Sequence, residues 1–290
     1  MCLLTLRARK HLPWVLLVGF ALRLVFVWFF PAEGGDTSIY KQLAYNWLDH
    51  GVYGLVINGQ LVPADLRVPG YPAFLAIISF LFRRSHMGIL LAQAFLDLGT
   101  CLLTALLAAA LVPKEWRERV AVAVLWLAAT CPFVANYCAV PLTEVLATFL
   151  TTAAMLFLIK ATCADGPSES AVENRRGKII PWLLAGVFTG LCTLVRPESP
   201  LLLVAVGIVL LFQWRRRADW GKLARACVLL AAGCLAPLVP WAARNWVTLH
   251  RVQFLATRYA ELNGEFVPRG FYAWTKTWLW RYRDAYTVIW

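Results

Sequence analysis

Residues 86–111 read HMGILLAQAFLDLGTCLLTALLAAAL, and this stretch decides the fold class of the chain. It carries one charged side chain, Asp97, and it exceeds the roughly 20 apolar residues that an α-helix needs to cross a bilayer. We therefore predict a membrane-spanning helix over this stretch.

The composition of the whole chain also indicates a membrane protein. Of its 290 residues, 60% are hydrophobic and 15% are charged, whereas a soluble domain is typically about 45–50% apolar and about 25% charged. One buried core cannot hold so many apolar residues, so an ordinary soluble enzyme is excluded. A disordered chain is excluded as well, because such chains have low hydrophobicity and high charge. The net charge of +12 is also typical of nucleic-acid-binding proteins. Because no stretch has the composition of a soluble basic domain, we expect no nucleic-acid partner.

Apolar runs recur along the chain and predict an all-α polytopic integral membrane protein with about seven transmembrane helices. The predicted spans are 12–30, 86–111, 120–138, 142–162, 179–195, 199–213 and 226–243. Basic residues precede the first run and no small-x-small cleavage site follows it, so we interpret it as a retained signal anchor with a cytoplasmic N-terminus. Residues 71–82 are apolar but too short to span, and we place them in the outer interface.

The distribution of basic residues supports this topology. Half of the 28 Lys and Arg lie in the four predicted inner segments, 1–11, 112–119, 163–178 and 214–225. If residues 71–82 crossed the membrane, every later loop would change sides, and basic segments such as 112–119 and 214–225 would lie outside, against the positive-inside rule. The chain then divides into a transmembrane module, 1–247, with a first outer loop at 31–85, and an outer C-terminal region, 248–290. The aromatic pattern of that region stops at Trp290, and we expect a longer protein to continue beyond it.

Polar clusters lie at the outer ends of the predicted helices, where charged groups usually face a cavity because contact with lipid is costly. The clusters are GGD at 34–36 with Tyr40, RVPGYP at 67–72, PLTE at 141–144, RPE at 196–198 and WAARN at 241–245. A carboxylate can accept a proton from an acceptor hydroxyl, and arginines can hold a phosphate leaving group. We therefore expect one outer cavity that binds an anionic substrate.

The ordered motifs GGDTSIYKQLAYNWLDHGVYG, RVPGYPAFLA, PLTE, RPES and PWAARN resemble those of the C-type glycosyltransferases. More narrowly, they resemble bacterial relatives of protein O-mannosyltransferases and of the lipid A aminoarabinose transferase. The resemblance covers nearly the whole chain and implies seven conserved helices and juxtamembrane helices in the first outer loop. It implies an inverting, mannosyltransferase-like enzyme of the bacterial cytoplasmic membrane, with an extracytoplasmic active site. The donor would be a polyprenyl-phosphate sugar, and the acceptor a lipid, glycan or protein.

Two carboxylates receive catalytic roles from this resemblance. Asp36 matches the family's acidic residue and would be the general base; the alternative is an N-cap of the helix that follows. Glu144 matches the second acidic position and would orient the acceptor, bind a metal or fix the loop; the alternative is a favourable charge at a helix N-terminus. Because arginines can neutralise a phosphate leaving group, no cofactor is required, although a divalent cation bridging Asp36 and Glu144 is compatible with the site.

Six further residues are candidate substrate-binding groups: Tyr40, Arg67, Tyr71, Arg196, Glu198 and Arg244. The resemblance implies that Arg67 approaches the donor phosphate. Tyr71 would line the lipid-phosphate groove or anchor at the interface. Arg196 and Glu198 would be a phosphate ligand with its partner, or a structural ion pair. Arg244 would face the carrier phosphate or anchor its helix.

Two charges lie within predicted spans. We expect Arg23 to extend to the outer interface, and Asp97 to be neutral and hydrogen-bonded to Thr100 or Thr104. If both charges instead line a path through the membrane, the chain is a secondary transporter or flippase of a lipid-linked or anionic substrate. A third hypothesis is a non-catalytic subunit that recruits a partner through residues 248–290. The histidines and cysteines show no metal-ligand spacing, so no metal site is predicted from them.

Overall fold

A computed structural model describes residues 6–164, 175–215, 220–256, 269–275 and 277–279. Over these residues the chain is mostly helical. The longer helices are α1 (Leu6–Phe29), α2 (Thr37–His50), α3 (Gly70–Leu81), α4 (His86–Leu111), α5 (Arg117–Ala129), α7 (Glu144–Ala164), α8 (Arg175–Thr193), α9 (Leu201–Arg215) and α10 (Trp220–Leu249). The short helices are α6 (Pro132–Ala135), a 3-10 turn (Asn136–Ala139) and α11 (Arg269–Thr275). The strands are β1 (Gly54–Ile57) and β2 (Gln60–Pro63).

Within the described ranges, four helices are long and apolar enough to cross a membrane: α1, α4, α7 and α10, over Lys10–Phe29, His86–Leu111, Glu144–Cys163 and Trp220–Leu249. A bent pair, Arg117–Ala129 with Pro132–Ala139, would make a fifth span. The apolar parts of α8 and α9 are shorter than a full span; the 15 residues of α9 extend about 22 Å, against about 30 Å of hydrocarbon. These helices are consistent with a multi-pass membrane protein, and the number seven stays a prediction.

The predicted span 120–138 is not one continuous helix. α5 ends at Ala129, and the next helical segment begins at Pro132 after a bend of 49°. Proline donates no backbone hydrogen bond, and its ring disfavours helical geometry in the preceding residue. Cys131 accordingly adopts an extended conformation, with φ −72° and ψ 110°. The break follows directly from the Cys131–Pro132 dipeptide.

The first outer loop contains a β-hairpin, which the all-α prediction did not include. β1 and β2 are antiparallel, with Ile57 opposite Gln60. The turn residues Asn58 and Gly59 have φ values of 51° and 79°, and Asn-Gly is the residue pair that favours a two-residue turn with positive φ. The loop also contains two helices, α2 and α3, as predicted, and their juxtamembrane position stays a prediction.

Helices α8 and α10 pack closely because glycines line their contact. A Cβ atom at Gly186 or Gly190 would collide with carbonyl groups of α10, and one at Gly233 would collide with a carbonyl group of α8. Small residues allow membrane helices to approach in this way. α7 packs on α8 as well, so the loop that follows α8 is held close to the beginning of α7.

Candidate active site

Six of the eight predicted site residues line one cavity of about 520 Å³, which we call the polar cavity: Asp36, Tyr40, Arg67, Glu144, Arg196 and Glu198. It lies where the beginnings of α2 and α7 meet the loop before α3 and the loop after α8. The chain therefore brings together segments that are far apart in the sequence. Two predicted residues, Tyr71 and Arg244, do not line this cavity.

Asp36 and Arg67 form an ion pair inside the polar cavity. Nη2 of Arg67 donates to Oδ1 of Asp36 at 3.0 Å, and Nη1 donates to the carbonyl oxygen of Leu66 at 3.2 Å. Asp36 occupies the N-cap position of α2, but its side chain makes no capping hydrogen bond. Asp36 therefore holds the predicted turn and N-cap position, but its carboxylate does not cap the helix and lines the cavity instead.

Arg196 lies between two carboxylates on the opposite side of the cavity. Its Nε donates to Oε1 of Glu198 at 3.0 Å, and its Nη2 lies 3.9 Å from Oε1 of Glu144. Oε2 of Glu144 is buried and has no hydrogen-bond partner. A buried carboxylate oxygen without a partner is costly, so a hydroxyl or cation that reached this oxygen would be bound favourably.

A close backbone contact joins the Arg67 loop to the Arg196 loop. The amide of Gly70 donates to the carbonyl of Leu194 at 2.6 Å, and a Cβ atom at position 70 would collide with that carbonyl. Tyr53 holds the other end of the Arg67 loop, since its hydroxyl lies 2.9 Å from the carbonyl oxygen of Arg67. Glycine at position 70 is therefore needed for the approach of the two loops.

Gln93 and Thr37 hold the segment that leads into α7. The side-chain amide of Gln93 donates to the carbonyl oxygen of Val140 at 2.9 Å, and the hydroxyl of Thr37 donates to that of Pro141 at 3.1 Å. Tyr71 joins this network, because its hydroxyl donates to Oε1 of Gln93 at 2.8 Å. These bonds fix the position of Glu144, three residues further along the chain.

Tyr71 lies beneath the cavity rather than in its wall. It is buried, and its ring packs edge-on against that of Tyr40, with centroids 5.2 Å apart. Tyr40 in turn lines the cavity. Burial and the nearby charge of Asp36 raise the pKa of Tyr40, and Arg67 opposes them. Tyr40 is therefore a neutral phenol near pH 7.

Arg244 lies in a second, apolar cavity of about 590 Å³. Its guanidinium donates to the carbonyl oxygens of Tyr53 at 2.6 Å and Ala64 at 3.0 Å, and it stacks over the ring of Trp241 at 5.2 Å. The polar cavity and this apolar cavity share Val195 in their walls. Arg244 thus ties the hairpin region to α10 and contributes no charge to the polar cavity.

The polar cavity combines three carboxylates with two guanidinium groups. The N-terminal ends of α2 and α7 adjoin it, and helix N-termini favour bound anions. Nowhere in the part of the chain that the structure describes do three or more His, Cys, Asp or Glu side chains form a group suited to a metal ion. The cavity thus offers guanidinium groups, which can bind an anionic group, next to carboxylates, which can accept a proton from a hydroxyl.

Arg23 and Asp97 form a separate ion pair in the protein interior. Nε of Arg23 donates to Oδ2 of Asp97 at 2.8 Å, and Nη1 donates to the carbonyl oxygen of Ala129 at 2.6 Å. Arg23 is fully buried, so the expectation that it extends to the interface is wrong. Asp97 bonds to Arg23 and not to the predicted threonines, which donate to backbone carbonyl oxygens. Through the bond to Ala129, Arg23 satisfies a carbonyl group at the C-terminal end of α5, where the helix breaks.

Sequence reasoning missed Tyr53 and Gly70 as residues that position the site. Tyr53 lies in a polar loop where its hydrogen bonds depend on tertiary structure, and no sequence signal distinguishes it. Gly70 lies inside the noted RVPGYP motif, and a glycine between two prolines was a signal of a close backbone contact.

Comparison with known proteins adds no assignment, since no family model, no curated protein and no solved structure matches this chain. The geometry of the two cavities and the motif resemblance therefore carry the functional proposal.

Proposed function

We propose that this chain is a membrane glycosyltransferase that moves a sugar from a polyprenyl-phosphate donor to an acceptor hydroxyl with inversion. One observation carries the proposal: two carboxylates with candidate catalytic roles and two arginines meet in a single polar cavity beside an apolar one. This combination suits a ligand with a charged, sugar-bearing head and a long apolar tail. The motif resemblance described above supplies the sugar and the carrier.

The donor phosphate would lie near Arg67 and Arg196. Both guanidinium groups line the polar cavity, and each retains N–H groups beyond those that bond to Asp36 and Glu198. The apolar tail would pass toward the neighbouring cavity, whose wall includes Pro69, Phe74 and Leu194. Arginine suits this role because its planar guanidinium binds phosphate oxygens in pairs.

The reaction would be a single displacement at the anomeric carbon. Asp36 accepts the proton of the acceptor hydroxyl, and the hydroxyl oxygen forms a bond to the anomeric carbon. The bond between that carbon and the phosphate oxygen breaks, and its electron pair leaves with the polyprenyl phosphate. Arg67 and Arg196 neutralise the charge that develops on this phosphate.

Glu144 would bind the acceptor through its unpartnered Oε2. A hydroxyl that donates there satisfies a buried oxygen and is held near the base. A divalent cation between Asp36 and Glu144 remains compatible with the chemistry but is not required. The proposed sidedness, with the cavity extracytoplasmic and the N-terminus inside, follows from the distribution of Lys and Arg.

Sugar transfer by purified Asp36→Asn protein tests the proposal. The purified protein is reconstituted into lipid vesicles and given a panel of labelled polyprenyl-phosphate hexoses. Release of polyprenyl phosphate is a second readout. We expect transfer to fall by about 10²–10⁴-fold, the usual contribution of a general base. The matched control is Asp65→Asn, since Asp65 does not line the polar cavity. Undiminished transfer by Asp36→Asn would remove Asp36 as the base.

We do not propose the transporter alternative. It required Arg23 and Asp97 to line a path through the membrane. The two side chains bond to each other, and neither lines the polar or the apolar cavity. Uptake of a lipid-linked sugar into proteoliposomes, without any transfer, would favour that alternative over the enzyme.

A further inference from the structure

Helix α3 is apolar on its exposed face as well as on its buried face. Ile77, Phe80 and Leu81 are exposed by 60%, 75% and 62%, while Leu75 on the other side is fully buried. The 12 residues of α3 extend about 18 Å, which is too short to cross about 30 Å of hydrocarbon. A continuous exposed apolar surface is unfavourable in water. The helix is therefore suited to lie at the surface of the bilayer, with this face toward the acyl chains.

A pocket of about 380 Å³ lies at the C-terminal end of α3. Its lining residues are Leu48, Asp49, Ser79, Phe80, Arg83 and Arg84. Two arginines face one carboxylate there, so the pocket has a net positive charge. Phe80 belongs both to the pocket and to the exposed apolar face, so the charged pocket is continuous with the surface that contacts lipid.

The two arginines of this pocket differ in their contacts. Arg84 forms an ion pair with Asp49, and its guanidinium lies 4.9 Å from the centre of the Tyr45 ring. These contacts fix its orientation. Among the described residues, Arg83 makes no hydrogen bond or ion pair. Arg83 is therefore the positive charge that is available to a ligand.

Ser79 provides an observation that is independent of the arginines. Its side chain is 2% exposed, and Oγ has no hydrogen-bond partner. A buried hydroxyl without a partner is costly, and a phosphate oxygen is a strong acceptor for it. Ser79 is one of the lining residues of this basic pocket, so a buried hydroxyl without a partner adjoins the two arginines.

We propose that this pocket binds the phosphodiester headgroup of an anionic glycerophospholipid such as phosphatidylglycerol. Arg83 holds the phosphate beside the Arg84–Asp49 pair, Ser79 donates to it, and the acyl chains lie along the exposed side chains of Phe80 and Leu81. A lipid is favoured over a soluble anion because the apolar face of α3 adjoins the pocket. The site is separate from the polar cavity, and the proposal does not depend on the proposed enzymatic function.

The backbone at Arg83 provides a variant that separates binding from folding. Arg83 and Arg84 have φ values of 49° and 60°, and the amide of Arg84 donates to the carbonyl oxygen of Ser79 at 2.8 Å. This is the end of a helix at which glycine is preferred in the left-handed position. Arg83→Gly therefore removes the charge and relieves the backbone, whereas Arg83→Lys keeps the charge.

The test compares lipid binding by the full-length protein in neutral detergent, using native mass spectrometry with phosphatidylglycerol and phosphatidylcholine. We expect wild type to prefer phosphatidylglycerol. Arg83→Gly should reduce this preference about fivefold, which corresponds to about 1 kcal/mol for a basic residue at an anionic surface. Its thermal stability should stay equal or rise, and Arg83→Lys should keep the preference. Ser79→Ala should weaken phosphatidylglycerol binding without lowering thermal stability.

Arg119→Gln, which changes the same charge at a distant helix end, is the control. An unchanged preference in Arg83→Gly would overturn the proposal, and so would an equal loss in Arg119→Gln, because general surface charge would then explain it. Displacement of phosphatidylglycerol by equimolar inorganic phosphate would also overturn it, in favour of a site for a soluble anion.

Discussion

Nη2 of Arg67 lies 3.0 Å from Oδ1 of Asp36, so the proposed base and the proposed phosphate ligand are in direct contact. An arginine in this position can hold the carboxylate and the leaving group through different N–H groups. The contact also couples the two residues, so we expect their mutations to be non-additive, although the guanidinium and the carboxylate serve different parts of the reaction.

Arg67→Gln should lower the rate constant of sugar transfer by about 10²–10³-fold, the loss typical of removing one donor to a developing negative charge. Arg67→Lys should recover part of the rate, since it keeps the charge but not the paired geometry. Steady-state transfer assays with both variants measure this difference. Arg119→Gln is the charge-matched control. A rate for Arg67→Gln equal to wild type would remove Arg67 from the phosphate site.

Gly70→Ala should separate the Arg67 loop from the Arg196 loop, because its Cβ would collide with the Leu194 carbonyl. We expect a loss of about 1–3 kcal/mol in the free energy of unfolding together with reduced transfer. Thermal unfolding in detergent measures the first effect. Gly221→Ala is the control, since a Cβ there meets no neighbouring atom, and alanine is the better helix former by about 1 kcal/mol. Equal stability of the two variants would contradict the close contact.

The Arg23–Asp97 pair should show strong coupling in a double-mutant cycle. Either Arg23→Met or Asp97→Leu alone leaves an uncompensated buried charge, which typically costs about 3–5 kcal/mol. The double variant should lose less than the sum of the two single losses. Unfolding in detergent measures all four proteins. Strictly additive losses would show that the two side chains do not stabilise each other.

Tyr40 should make the folded protein sensitive to alkaline pH. Burial raises the pKa of Tyr40 above its ordinary value of about 10, so the folded state favours the neutral phenol. Its contribution to stability is complete below the pKa of the unfolded chain and is lost as the pH rises through the higher pKa of the folded state. The melting temperature of Tyr40→Phe should therefore decline less than that of wild type above about pH 10. Identical alkaline profiles would contradict this.

The residues of the polar cavity were predictable because each belongs to a short motif at a helix end. Asp36, Arg67, Glu144 and Arg196 all follow or precede long apolar segments. Once the inside and outside ends of the predicted spans are assigned, the charged helix ends on one side are expected to face a shared cavity, because contact with lipid is costly.

Arg244 was not predictable in the same way, because its partners are backbone carbonyls of the hairpin region. The Asn58-Gly59 pair was a local signal for that hairpin, whereas the bond from Arg244 to the Tyr53 carbonyl depends on how the loop packs on α10. The same holds for Asp97. Nearby threonines were the obvious partners in the sequence, but an arginine on another helix competes better for a buried carboxylate because it brings a full opposite charge.

The burial of Arg23 also has a consequence for how the protein enters the membrane. Its carboxylate partner, Asp97, lies 74 residues later in the chain, and its carbonyl partner, Ala129, lies 106 residues later. When α1 emerges from the ribosome, neither group has been synthesised. An unpaired arginine costs about 2.5–3.5 kcal/mol at the centre of a spanning helix on insertion scales, and Arg23, the fourteenth residue of Lys10–Phe29, would carry part of that cost. We therefore expect the first helix to reach its final depth only after α4 and α5 have been inserted, so that its integration would be a step of co-translational assembly.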